Sequence, residues 1–100
     1  KALPNAASTP ELNIKMAEGE PFALLDELKA SARFEGAEEI IKIDGLRVEY
    51  KDGFGLARPS NTTPVVVLRF EADNPAALAR IQDDFRRVLK TARPELALPF

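Results

Sequence analysis

Seven consecutive residues, Arg58-Pro59-Ser60-Asn61-Thr62-Thr63-Pro64, hold most of the chemistry available to this chain. An arginine offers a planar fork of donors that meets a phosphate through two bonds at once. Ser60, Asn61 and Thr62 add short donors, and two prolines stiffen the backbone. A tight turn can also aim successive N–H groups inward as an anion-binding nest. Arg58, Ser60, Asn61 and Thr62 are therefore a candidate phosphate seat. The same residue types are what a plain turn between two strands uses, and residue types alone leave both readings open.

The rest of the composition removes other chemistries. One hundred residues correspond to one domain, of a size that buries roughly 65% of its unfolded surface. The net charge of −2 gives no general attraction to nucleic acid or to an anionic membrane. The chain has neither cysteine nor histidine, so disulfides, thiolate metal sites and the usual neutral-pH base are excluded. No apolar run approaches the ~20 residues that span a bilayer, and no signal-peptide pattern is legible. The chain begins with Lys1 and opens on a Pro/Ala/Ser/Thr stretch without periodicity. Residues 1–10 accordingly read as a linker, and the whole as a piece of something larger.

The elements that must hold the loop follow from pattern. Residues 11–16 alternate polar and apolar, as does Leu46-Arg47-Val48-Glu49-Tyr50, and both read as half-buried strands. Residues 39–43 form a short strand, with Asp44-Gly45 as the hairpin turn. Residues 54–57 are a short extended piece entering the loop, with Gly53 and Gly55 allowing a bend at its mouth. Residues 65–72 are rich in β-branched types and make the clearest strand. Pro21 suits a first helical turn, after which Phe22, Leu25, Leu28 and Ala32 share one face opposite Asp26, Lys29 and Arg33. Asn74 and Pro75 open a second helix with the stripe Leu78, Ile81, Phe85, Val88 and Leu89, and Pro94 stops it. An Asp83–Arg87 pair is expected on its wet side. The order predicts an α+β fold, an antiparallel four-stranded sheet with two helices on one face.

Alternation assigns the faces. Leu46, Val48, Tyr50, Val66, Leu68, Phe70 and Ala72 should meet the helices. Arg47, Glu49, Arg69 and Glu71 should lie on the open face as cross-strand ion pairs, beside Val65 and Val67. The adjacent carboxylates Glu38-Glu39 and Asp83-Asp84 lack metal-ligand spacing and read as solvated. Residues 51–56 carry a Gly-aromatic-Gly pattern of the kind that stacks on bases in RNA-recognition strands. Leu56 stands at the second aromatic position and Asp52 has the wrong charge for that role. A nucleic-acid module is therefore one alternative, and an assembly domain using the open face is another.

The run from Asp44 through Tyr50, Gly53-Phe54-Gly55-Leu56, the loop of residues 58–64 and the strand that follows together resemble one known domain. It is the C-terminal domain of bacterial phosphomannomutase/phosphoglucomutase, in the α-D-phosphohexomutase superfamily. The likeness extends from Ser8-Thr9-Pro10-Glu11 to Pro99-Phe100. It implies a TATA-binding-protein-like sheet for residues 11–100, and a parent of four domains around a deep cleft. It also implies that Arg58, Ser60, Asn61 and Thr62 hold the phosphate not being transferred. The substrates implied are hexose phosphates and glucose or mannose 1,6-bisphosphate; no nucleic acid and no membrane is implied. Phosphoserine, magnesium loop and sugar-reading loop would belong to the other three domains. This domain would then carry no cofactor, no metal and no catalytic residue, within a cytoplasmic isomerase. The Pro-rich stretch of residues 3–10 is near where a hinge for domain closure could lie, and the sequence does not locate the hinge itself.

Overall fold

The alternating run at residues 65–72 becomes the spine of the sheet. The computed structural model describes residues 7–31, 33–43 and 45–100. Six strands occur there: β1 Ala7–Ser8, β2 Leu12–Lys15, β3 Ala37–Ile41, β4 Leu46–Tyr50, β5 Gly53–Pro59 and β6 Val65–Ala72. Helices α1 Glu20–Ser31 and α2 Pro75–Ala92 complete the fold. All pairings are antiparallel, in the order β1-β6-β5-β4-β3. β2 lies in line with β1 along the same edge of β6, pairing Leu12 with Leu68 and Lys15 with Val65.

The α+β fold with two helices on one sheet face stands as expected, but the sheet is wider than the four strands anticipated. The stretch at residues 54–57 is a full central strand of seven residues, pairing with β4 and β6 on its two sides. Ala7–Ser8, within the stretch read as linker, pair with Ala72 and Glu71. Thr9 joins them, its N–H donating to the Phe70 carbonyl at 3.0 Å and its hydroxyl accepting from Phe70 N–H at 3.2 Å. Residues 1–6, Ala32 and Asp44, each part of an expectation above, lie outside the described residues.

Strand β3 starts and ends two residues earlier than expected. Ala37 pairs with Tyr50, a bulge follows, and Ile41 ends the ladder opposite Arg47. Ile43 is left in the turn, 79% exposed.

The helix-facing positions form one core. Leu46, Val48, Tyr50, Val66, Leu68, Phe70 and Ala72 are all buried against α1 and α2. On α2, Ile81, Phe85, Val88 and Leu89 supply the expected stripe, with Ala77 buried beside them and Leu78 partly so. On α1 the buried set is Pro21, Leu24, Leu25 and Leu28, the i, i+3, i+4, i+7 spacing of an inward face. Phe22 is the correction: it is 50% exposed, because Leu24 takes the inward position. Asn74 caps α2 as predicted, its Oδ1 accepting from Ala77 N–H at 2.8 Å.

Gly53 and Gly55 also have another role than the bend expected of them. Both lie inside β5, on the face that α2 covers. A Cβ on Gly53 would stand 2.8 Å from Ile81 Cδ1, and one on Gly55 would stand 2.7 Å from Phe85 Cζ. Gly55 lets α2 approach the sheet, whereas a Cβ on Gly53 would first meet the β6 backbone at the Glu71 carbonyl oxygen and Ala72 Cα.

Candidate phosphate-binding loop

The β5–β6 hairpin sets the loop. Its last ladder pairs are Arg58 with Val67 and Pro59 with Val66. Beyond them Ser60 N–H donates to the Val65 carbonyl at 2.9 Å, closing the loop at its base. Met16 N–H donates to the Pro64 carbonyl at 2.9 Å, which ties the descending limb to the end of β2.

Within the loop Ser60 is the organiser. Its Oγ accepts from Thr62 N–H at 3.2 Å, from Thr63 N–H at 3.4 Å and from the Thr63 hydroxyl at 3.3 Å. It also lies 3.3 Å from Thr62 Oγ1. Such a serine-centred turn fixes the loop with short local bonds. Sequence reasoning cast Ser60 and Thr62 only as hydroxyl donors to a ligand. The structure adds that the Ser60 oxygen is an acceptor for the loop's own amides.

Arg58 and Asn61 are what this scaffold leaves over. Arg58 is exposed at the end of a rigid central strand, and its guanidinium has no ion-pair or hydrogen-bond partner among the described residues. Asn61, exposed near the tip, has neither its amide N–H nor its side chain engaged among those residues. Among the described residues Arg47, Arg80, Arg86, Arg87 and Arg93 each have an ion-pair partner, so an unpaired arginine is not the rule there.

Arg58 stands between two clefts. One, of about 770 Å³, runs between the loop and α1; Arg58, Pro59, Asn61 and Gly45 form one side, and Phe22, Asp26 and Lys29 the other. The second, of about 610 Å³, lies toward the open face and is lined by Arg58, Ser60, Thr63 and Lys15 among others. Both volumes fall in the range of small-molecule sites. The loop thus places Arg58 with Asn61 in one cleft and with Ser60 in the other. Thr62 is exposed and lines neither, but is held by Ser60.

Lys29, Phe22 and Lys15 were not singled out from sequence for the site. The 22/26/29 spacing puts Phe22, Asp26 and Lys29 on one helical stripe, a signal that was present but read as a mixture of core and wet face.

The remaining candidates resolve differently. The open face carries no cross-strand ion pairs among Arg47, Glu49, Arg69 and Glu71. β5 lies between β4 and β6, so Glu49 faces Phe54 and Arg69 faces Leu56. Arg47 instead pairs with Glu49 on its own strand and lays its guanidinium 4.1 Å from the Phe54 ring centroid. One face of the Phe54 ring is therefore occupied by Arg47. Asp83 pairs with Arg86, not Arg87; Arg87 pairs with Asp84. Asp84 is not merely solvated, since it also accepts from the Tyr50 hydroxyl at 2.6 Å. Burial, and then that carboxylate, push the Tyr50 phenol above its ordinary range. Among the described residues no group of three or more Asp and Glu is placed to hold a metal ion. No helix among them is long and apolar enough to cross a membrane.

Comparison with known proteins gives a consistent result. A family profile described as "Phosphoglucomutase/phosphomannomutase, C-terminal domain" matches residues 11–88. The chain is similar to a phosphoglucomutase of Neisseria meningitidis serogroup A, at 59% identity over 97% of the chain. It is also similar to a phosphomannomutase/phosphoglucomutase of Pseudomonas putida, at 52% identity over 99% of the chain. It covers 21% of each of these relatives, about a fifth of their length. A crystal structure of a phosphoglucomutase/phosphomannomutase family protein from Burkholderia thailandensis superposes with a TM-score of 0.87 at 66% identity. That superposition takes in 98% of this chain and 20% of the other.

Proposed function

The chain belongs to the phosphoglucomutase/phosphomannomutase family, as its C-terminal domain, and from that premise we propose that Arg58, Ser60, Asn61 and Thr62 grip the non-transferring phosphate of a hexose phosphate during reversible phosphoryl transfer. One observation carries the reading. The hairpin spends its internal bonds on its own shape, yet leaves the Arg58 guanidinium and the Asn61 donors without a partner among the described residues, beside a cleft of about 770 Å³.

The chemistry of the role is positioning. Phosphoryl transfer asks mainly for orientation and charge neutralisation. A bidentate Arg58 would neutralise the distal dianion, Asn61 would add donors, and the Ser60 and Thr62 hydroxyls would complete the shell. Holding one end of the substrate places the other end against groups contributed by the rest of the enzyme. A 1,6-bisphosphate presents the same group at both ends, so one loop serves either orientation. Phosphoserine, metal and sugar recognition would come from the other three domains, and closure of the domains would exclude water. The isolated chain should bind phosphate esters without turning them over.

Two-dimensional amide NMR during addition of glucose 1,6-bisphosphate, with sodium sulfate as an ionic control, tests this. Saturable shifts at Arg58, Ser60, Asn61 and Thr62 that sulfate does not reproduce are the expected result. Shifts confined to other surfaces, in this domain and again in the full-length enzyme, would refute the reading.

A further inference from the structure

We infer that Gly45 is a positioning residue for Arg58: by lacking a side chain it lets the β3–β4 turn close against the end of β5, and so sets where the guanidinium stands. The register makes the two residues neighbours. Leu46 pairs with Ala57 at the end of the β4–β5 ladder, so residue 45 falls opposite Arg58 just beyond it. Gly45 has φ +134°, a backbone conformation that side chains disfavour. A Cβ there would stand 2.7 Å from Arg58 Cβ, 2.9 Å from the Ala57 carbonyl oxygen and 3.2 Å from Arg58 Cα.

Those obstacles are backbone atoms and a Cβ, so no side-chain rotation relieves them. The β5 backbone is held on its other side by β6, where Arg58 pairs with Val67. Displacement is therefore directed into Arg58 itself. Gly19 and Gly36 also have positive φ, yet a Cβ at either would meet nothing within 4 Å. Gly45 combines the conformation with the contact, is buried, and lines the same cleft as Arg58 and Asn61.

The functional consequence rests on the phosphate reading above, and the test separates the two. In the full-length enzyme, KM and kcat for a hexose 1-phosphate are measured for Gly45→Ala, Gly36→Ala, Arg58→Ala and the Gly45→Ala/Arg58→Ala double variant, with thermal unfolding alongside. Gly45→Ala should raise KM at least about fivefold with kcat nearly unchanged, as loss of uniform binding requires. Gly36→Ala also puts a side chain on a positive φ, but away from the loop, and should leave KM within about twofold. The double variant should be within about twofold of Arg58→Ala alone, because the two act through one contact.

An unchanged KM in Gly45→Ala beside an impaired Arg58→Ala, or effects that multiply in the double variant, would overturn this inference and spare the phosphate reading. An unchanged KM in Arg58→Ala would remove both. Should Gly45→Ala fail to fold, the wild-type enzyme selectively labelled with ¹⁵N-glycine answers in its place. The Gly45 amide must shift with bound glucose 1,6-bisphosphate along the substrate's saturation curve, and a stationary Gly45 amide counts against the inference.

Discussion

The Phe85 ring of α2 lies where a Gly55 side chain would begin, with Cζ 2.7 Å and Cε1 closer still from the position of a Cβ. The same ring packs edge-on to Phe70 at 5.1 Å and tilted to Phe34 at 4.9 Å. It is 1% exposed and has little room to retreat. Gly55→Ala should therefore destabilise the domain by about 2 kcal/mol, within the usual overpacking range. Phe85→Leu, which opens space at that point, should be less harmful in a Gly55→Ala background than alone. Urea unfolding of the two single variants and the double variant measures both effects; strict additivity would contradict the steric account.

Tyr50 makes the fold sensitive to alkali. Its hydroxyl donates to Asp84 at 2.6 Å, and its phenol is pushed above the ordinary value near 10, first by burial and then by that carboxylate. Above pH 10 the unfolded chain has lost this proton while the folded chain keeps it. The contribution is thus fully present below about pH 10 and falls as pH rises, by about 1.4 kcal/mol per pH unit for one proton. Tyr50 is the single tyrosine and there is no tryptophan, so tyrosinate absorbance reports on it alone. The absorbance should rise only with unfolding in the native protein. In Asp84→Asn it should appear at lower pH. Tyr50→Phe should lose the extra alkaline slope that the native protein shows.

Much of this architecture was legible because its signals are local. The Asn74 cap, Pro75, the α2 stripe and the alternation in β4 and β6 each depend on neighbours within a turn or a strand. What escaped depends on residues far apart. Nothing near Gly55 announces that Phe85, thirty residues later, needs its missing Cβ. Likewise Arg47 and Glu49 look like sheet-surface partners for Arg69 and Glu71 until β5 is seen to run between them. Phe22 was misplaced because Leu24 and Leu25 compete for the same inward arc, and the arc that wins is fixed by packing. The loop's residues were all visible in sequence. Which of them are spent on the loop itself, and which are left for a ligand, is visible only in the geometry.

Ser60→Ala separates those two uses. Removing Oγ deletes the acceptor for the Thr62 and Thr63 amides and the Thr63 hydroxyl. The bonds are exposed and 3.2–3.4 Å long, so global stability should fall by no more than about 1 kcal/mol. Phosphate affinity should fall more than in Thr62→Ala, because the loop's shape is lost along with one hydroxyl. Hydrogen exchange at Thr62 and Thr63 should accelerate in Ser60→Ala and stay nearly constant in Thr62→Ala. Equal affinities and equal exchange in the two variants would contradict the organising role.

Arg58 should separate binding from folding most cleanly. Its guanidinium bonds to nothing among the described residues, so Arg58→Ala should leave the urea midpoint nearly unchanged. Charge-assisted hydrogen bonds contribute about 1.5–3 kcal/mol, so the same change should weaken hexose-phosphate binding by roughly 10- to 150-fold. Arg58→Lys keeps the charge but replaces a planar fork by a point donor, and should recover only part of that loss. Titration calorimetry on the full-length enzyme reads all three affinities. If lysine restored binding fully, Arg58 would act as a bare charge and the bidentate geometry would have no part in recognition. If alanine bound as well as arginine, the cation would be a solvated turn residue, and the phosphate would have to be held elsewhere.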